Sequence, residues 1–173
     1  MDCFTLQFLG TGTSTGVPMI GSDCAVCRSG DRRNRRMRSS LHVSAGAISL
    51  VIDTPPDFRE QALRYGLRRL DAVLFTHAHA DHVFGFDDIR RFNTLQGDRE
   101  IPAYAATETI VEMQRVFAYM ARAGRRGLYR PKVRFIAVEA PFQVQPLEGG
   151  DKASGEALEV VPFDVVHGDD RTQ

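Results

Sequence analysis

Phe4, Leu6 and Phe8 alternate with Thr5 and Gln7 and stop at Gly10, a period of two that predicts a first strand. A stretch of Gly, Thr and Ser at 10–16 follows and reads as a loop. Residues 41–45 and 47–53 are rich in apolar and β-branched residues on either side of Gly46, the pattern of a hairpin. Asp57 with Glu60 three positions on has the form of a capping box. It would open a helix with Phe58, Ala62 and Leu63 on one face and Gly66 near its end. The apolar run 71–76 predicts a strand, 87–92 a short helix and 101–104 a short strand. Thr107 is placed to cap a longer helix on which Ile110, Met113, Phe117 and Met120 recur at helical spacing, the mark of a core stripe. Further strands are expected at 132–138, 142–144 and 158–166, with a turn at 149–155. Strand runs alternating with helices imply α/β layering.

The chain has 173 residues, which predicts one domain over 1–173, and 43% of them are apolar, an ordinary globular value. No run approaches the roughly 18 apolar residues of a membrane span, and residues 1–4 are not a basic leader before an apolar core. A soluble, cytoplasmic protein that does not enter the membrane is the expectation. Cys3, Cys24 and Cys27 are too few and too unevenly spaced for a disulfide framework.

Formal net charge is zero, but the basic residues are twenty Arg and two Lys. Six arginines fall between residues 28 and 38, and Arg122, Arg125, Arg126 and Arg130 surround Gly124 and Gly127. The planar guanidinium suits phosphate, so either cluster could meet a phosphorylated substrate. Equally, both could be solvated loops in a chain that uses Arg in place of Lys. Neither is interleaved with aromatics, so a nucleic-acid partner draws only weak support.

The densest chemistry lies at 76–82, Thr-His-Ala-His-Ala-Asp-His, which holds three of the five histidines. Neutral imidazole and carboxylate are ligands that zinc, manganese and iron accept. His77 and His79 alternate, so in an extended turn both can point one way; Asp81 and His82 would then turn the other way, toward a second ion. Two ions a few ångströms apart activate water against a phosphate or acyl centre. His167, at the end of the predicted strand 158–166, is the third imidazole that His77 and His79 need to hold one ion. Asp53 ends a strand; it could accept the free N–H of a metal-bound histidine or serve only its own turn. The 10–16 loop could cradle a phosphate, or its glycines could answer a steric need. Cys24-Ala-Val-Cys27 is half of a structural zinc site or a pair of loop thiols.

His77-x-His79-x-Asp81-His82 resembles the signature of the metallo-β-lactamase fold hydrolases. The flanking Gly-Thr-Gly-Thr-Ser-Thr-Gly-Val-Pro at 10–18, Ile-Asp-Thr-Pro-Pro-Asp-Phe-Arg at 52–59 and His-Val-Phe-Gly-Phe-Asp-Asp-Ile-Arg at 82–90 are similar to one branch, the PhnP-like phosphodiesterases. That branch resembles the phosphoribosyl cyclic phosphodiesterases and, more distantly, the tRNA 3′-processing nucleases. The similarity runs from about residue 4 to residue 168. It implies an αββα sandwich and a metal-dependent hydrolase, a phosphodiesterase acting on small cyclic or nucleotide-like phosphodiesters through a metal-activated water. The implied cofactor is one or two divalent ions, zinc or manganese. The branch places a His-Gly at 167–168, which implies His77, His79 and His167 as the first metal site. Asp81 and His82 would form the second, with Asp81 also accepting a proton from the attacking water or orienting it.

Two departures from the branch pattern bear on this. Three cysteines with a distant histidine commonly occupy the stretch around 22–27, but Ser22 stands in the first place, and a serine hydroxyl is a poor zinc ligand. Related hydrolases also carry a bridging Asp and a last His beyond the third motif; Asp169 and Asp170 follow His167 too soon to match. The C-terminal elements of the fold are therefore expected to be missing, leaving two ligands at the second site and an open sheet edge, which a partner or a second copy of the chain could cover. The alternatives are a catalytically weak or inactive truncated fragment holding one metal, and a thioester or lactam hydrolase on the same fold.

Overall fold

The computed structural model describes residues 4–121, 129–147, 157–167 and 170–172. The expected turn at 149–155, Arg122, Arg125, Arg126, Gly168 and Asp169 lie outside them.

A six-stranded sheet organises the chain, with strands in sequence order across it. β1 (Phe4–Gly10), β2 (Ser40–Ala45) and β3 (Ile48–Ile52) form an antiparallel meander; β4 (Ala72–Leu74), β5 (Ile101–Ala105) and β6 (Val133–Ala137) continue it in parallel. The helices α1 (Phe58–Arg64), α2 (Ala80–Val83), α3 (Ile89–Leu95) and α4 (Thr107–Val116) lie in the crossovers. β7 (Phe142–Val144) pairs with β8 (Leu158–Val160), and β9 (Val165–His167) with β10 (Asp170–Thr172), both antiparallel.

Side chains of successive strand residues point to opposite faces. Val51, Val73 and Ala103 face the helices and pack with Phe58, Ile89, Phe92 and Met113. Their neighbours Leu50 and Ala72 face the other way and pack with Val144, Phe142 and Val160 of the β7–β8 pair. The central strands are thus covered on both sides, which is why 50–52 and 72–75 read as continuous apolar runs rather than alternating ones. This is a mixed α/β fold with helices on one face of the sheet and a β layer on the other.

The first strand forms where the alternation places it, but Leu9, 1% exposed, enters the helix-covered core, whereas Phe4, Leu6 and Phe8 stay exposed. Ile110, Met113, Phe117 and Met120 all reach the core, but the helix is shorter than expected: α4 ends at Val116, Phe117 is its C-cap and Met120 lies in a 3-10 turn at Ala118–Ala121. The helix expected at 87–92 begins as a 3-10 turn at Phe86–Asp88 and runs on to Leu95.

Four local expectations are corrected. The single strand expected at 158–166 is two strands, separated around Pro162, which has no N–H to give a ladder. Asp57 makes no side-chain cap to α1; its carboxylate accepts instead from the Arg38 backbone N–H at 2.8 Å and from the Arg38 guanidinium at 3.0 and 3.1 Å. A charged bidentate partner outcompetes a local cap. Leu63 is 62% exposed and does not join the face of Phe58 and Ala62. Ala106, not Thr107, occupies the cap position of α4, and the Thr107 hydroxyl donates to Glu139 at 3.3 Å.

Because β3 and β4 are parallel neighbours in register, Val51 beside Val73, the chain leaves both at the same end of the sheet. Asp53 and the 76–82 segment therefore emerge side by side.

Candidate metal centre

Asp53 turns out of β3 with φ +62°, a left-handed conformation that Asp tolerates better than most residues. Its backbone N–H donates to the Leu74 carbonyl at 2.8 Å. The carboxylate, 4% exposed, is thereby aimed at the start of the histidine segment. Oδ1 accepts from the Thr76 N–H at 2.9 Å. Oδ2 accepts from the Thr76 hydroxyl at 2.8 Å and lies 2.7 Å from His82 Nδ1. Of the two roles open to Asp53, the histidine-orienting one is the one its contacts describe. Thr76 Oγ1 is also 2.9 Å from His77 Nδ1. Sequence reasoning passed over this threonine; its signal was a hydroxyl residue immediately before the first histidine, at the mouth of a strand.

The histidines are held from beneath by backbone bonds between two loops. Thr54 N–H donates to the His82 carbonyl, and Gly85 N–H to the Thr54 carbonyl, each at 2.8 Å. A Cβ on Gly85 would sit 2.1 Å from the Pro55 carbonyl oxygen, so only glycine lets the loops approach this closely. His79 occupies the cap position of α2, which carries Asp81 and His82. On this short helix the His82 ring lies 4.1 Å from that of His77, centroid to centroid.

His77 Nε2 and His79 Nδ1 are 3.0 Å apart. From the far end of the described chain, β9 brings His167 to within 5.0 Å of the His77 ring and 5.5 Å of the His79 ring. One ring nitrogen from each of His77, His79 and His167 lies within 4.8 Å of the other two. His82 Nε2 is 3.4 Å from Asp81 Oδ2, beside this group. Burial, followed by the positive charge of His82, His79 and His167 and partly offset by Asp53, pushes the His77 imidazole down to about 4. Burial also disfavours protonation of His82, but the hydrogen bond to Asp53 and the charges of Asp53 and Asp81 carry it above the ordinary histidine value.

This donor set fits a divalent cation. The three nitrogens converge, and His77 stays neutral across the physiological range, the state in which imidazole ligates. A cavity of about 630 Å³ opens beside the cluster, walled by Ile52, Leu74, Tyr104 and Phe142 as well as by His77 and His167. His79 and His167 are exposed, so the group is open to solutes.

Other sequence candidates fall elsewhere. A Cβ on Gly10 would lie 2.0 Å from the Arg38 carbonyl oxygen, so steric need accounts for that glycine. Arg28 pairs with Asp23, Arg33 with Asp31 and Arg38 with Asp57, which leaves half of the 28–38 arginines engaged with carboxylates. Cys24 and Cys27 join no three-ligand group among the described residues. Hydrogen bonds from Ser22 and then Cys27 bring the exposed Cys24 thiol down to about 7. Alkylation of Cys24 by iodoacetamide, followed by peptide mass spectrometry, is therefore expected to reach half its maximal rate near pH 7. In Ser22→Ala the midpoint should move toward that of an ordinary thiol; an unmoved midpoint would contradict the assignment.

Residues 49–173 match the family described as Beta-lactamase superfamily domain. A solved diphosphatase of the PhnP family superposes with a TM-score of 0.81 at 38% identity, over 99% of this chain and 61% of that one. Zn(2+)-bound PqqB from Methylobacterium extorquens gives 0.59 at 28% identity, over 85% of this chain and 50% of that one. Among curated proteins, a ribonuclease Z from Bradyrhizobium sp. (strain ORS 278) is 30% identical over 96% of this chain and 47% of its own length. An octanoyltransferase from Porphyromonas gingivalis is 40% identical over 92% of this chain but only 30% of its own length. The chain thus spans about a third to a half of the curated relatives it matches. No helix among the described residues is long and apolar enough to cross a membrane.

Proposed function

This chain belongs to the beta-lactamase superfamily, and from that membership we propose that it is a metal-dependent phosphodiesterase acting on a small cyclic or nucleotide-like phosphodiester. The observation that carries the reading is the convergence of three imidazoles, two from one loop and one from a strand some ninety residues later, with nitrogens within 4.8 Å of one another. His77, His79 and His167 would hold one divalent ion, zinc or manganese, and Asp81 with His82 would contribute to a second position. When bound, such an ion supplies Lewis acidity toward water and toward the phosphoryl oxygens.

The chain's own residues do the rest. Asp53 fixes His82 at 2.7 Å, so the ring keeps its direction without reorganisation during turnover. Asp81, partly exposed beside His82, accepts the proton that a nucleophilic water gives up. The apolar walls of the neighbouring cavity would receive the ester group and keep bulk water from it.

Phosphoryl rather than acyl chemistry is favoured by the PhnP-family diphosphatase and the ribonuclease Z among the similar proteins. The octanoyltransferase name describes a protein of which this chain covers 30%, so it offers little support for acyl transfer here. The test is hydrolysis of bis(p-nitrophenyl) phosphate with added manganese or zinc, run beside a p-nitrophenyl thioester. Turnover of the diester alone is expected, with retention of about one tightly held ion per chain, since the second position draws on only Asp81 and His82 among the described residues. Thioester turnover without diester turnover would replace this reading with acyl hydrolysis.

A further inference from the structure

We propose that Thr76 is a positioning residue: its hydroxyl relays the direction imposed by Asp53 to His77, so that one carboxylate fixes the tautomer of two imidazoles, His77 and His82. The inference deepens the metal-binding reading above and rests on it for its functional meaning, but not for its geometry.

The argument is one of donors and acceptors. An ionised carboxylate only accepts, and a hydroxyl has one proton to give. Thr76 Oγ1 lies 2.8 Å from Asp53 Oδ2, so its proton is committed to Asp53. The same Oγ1 lies 2.9 Å from His77 Nδ1 and can there only accept. The ring proton of neutral His77 therefore sits on Nδ1, and Nε2 is left with a bare lone pair. His82 is held at the same ring atom: Nδ1, 2.7 Å from Asp53 Oδ2, carries the proton, which makes Nε2 the bare nitrogen whenever the ring is neutral.

Both bare nitrogens face the cluster. His77 Nε2 is the atom 3.0 Å from His79 Nδ1, and His82 Nε2 is the atom 3.4 Å from Asp81 Oδ2. The relay itself is anchored, because the Thr76 N–H donates to Asp53 Oδ1 at 2.9 Å and holds the threonine against the carboxylate at two points. Without the hydroxyl, His77 Nδ1 has no acceptor within this network, and the ring is free to move its proton to Nε2, the tautomer that cannot ligate through that atom. The two imidazoles assigned to different metal positions are in this way tied to a single buried anion.

The test uses the full chain labelled with ¹⁵N-histidine. Long-range ¹H–¹⁵N spectra of the metal-free protein at neutral pH report the tautomer of each ring, and competition with a chelator reports Zn²⁺ affinity. Thr76→Val keeps the shape and deletes the hydroxyl; Thr76→Ser keeps the hydroxyl. Wild type and Thr76→Ser are expected to show the Nδ1–H form at His77. Thr76→Val is expected to show a mixture and to bind Zn²⁺ about 10-fold or more weakly, in the range seen when a partner of a metal-ligating histidine is removed. An Nε2–H form at His77 in the wild type would overturn the proposal, as would a Thr76→Val protein with unchanged tautomer and unchanged Zn²⁺ affinity. If Thr76→Val does not fold, the wild-type and Thr76→Ser spectra decide. If the tautomers behave as expected but no form binds Zn²⁺, the relay stands and the metal reading falls.

Discussion

Replacing His79 with alanine is expected to abolish retention of zinc or manganese and to lower phosphodiester hydrolysis by more than about 100-fold, beyond the roughly 10–100-fold that loss of an orienting partner costs. His79 is the cleanest member of the trio to remove. It is exposed, and its ring meets His77 and His167 within the candidate centre rather than the packed core. Its backbone carbonyl, which accepts from the His82 and Val83 N–H groups, survives the substitution, so α2 keeps its first turn. The urea midpoint should therefore match that of metal-free wild type, while metal content and turnover collapse together. His82→Ala would be a poorer probe, because it also takes a donor from the buried Asp53 carboxylate. A His79→Ala protein that keeps both its ion and its turnover would place the chemistry elsewhere.

Phe86→Ala carries the largest expected cost in stability, about 3–5 kcal/mol. Phe86 is fully buried, with ring centroids of Phe117 at 5.0 Å, Phe75 at 5.6 Å and Phe135 at 5.8 Å around it. It joins the turn after the histidine segment to the helix side of β6, so truncation removes contacts that no single neighbour can collapse to replace. Folding free energies of ordinary domains are about 5–15 kcal/mol, so the variant should be marginal at room temperature. Leu63→Ala, at a position 62% exposed, is the matched control and should stay within about 0.5 kcal/mol of wild type. Equilibrium urea unfolding of the three proteins measures both. A Phe86→Ala loss no larger than that of Leu63→Ala would mean that this ring cluster is not the core.

Elements that depend on near neighbours were legible. The strands at Phe4–Gly10 and 41–52, the stripe of Ile110, Met113, Phe117 and Met120 and the loop after β4 all follow from periodicities that short-range sterics enforce. Capping was read less well, because a cap is a competition. Asp57 and Thr107 each had a local option and took a distant partner, Arg38 and Glu139, that no reading along the chain could weigh. Leu63 failed for a related reason, since which side of a short helix is covered depends on what packs there. The strand at 158–166 was misread because its apolar run looked continuous; Pro162 was visible in it, and its missing donor was the signal.

The chain by itself determined the donor set: the imidazoles and carboxylate of 77–82, the strand that delivers them, and a further histidine at a predicted strand end. Ligand chemistry is a property of residue types, and residue types need no fold to be read. Only the tertiary structure decided that His167 reaches the same few ångströms as His77 and His79, and that Asp53 and Thr76 stand behind two of the rings. Those meetings are set by the parallel register of β3 on β4 and by the path of the chain to β9. Such contacts arise from packing the whole sheet, and no local pattern carries them.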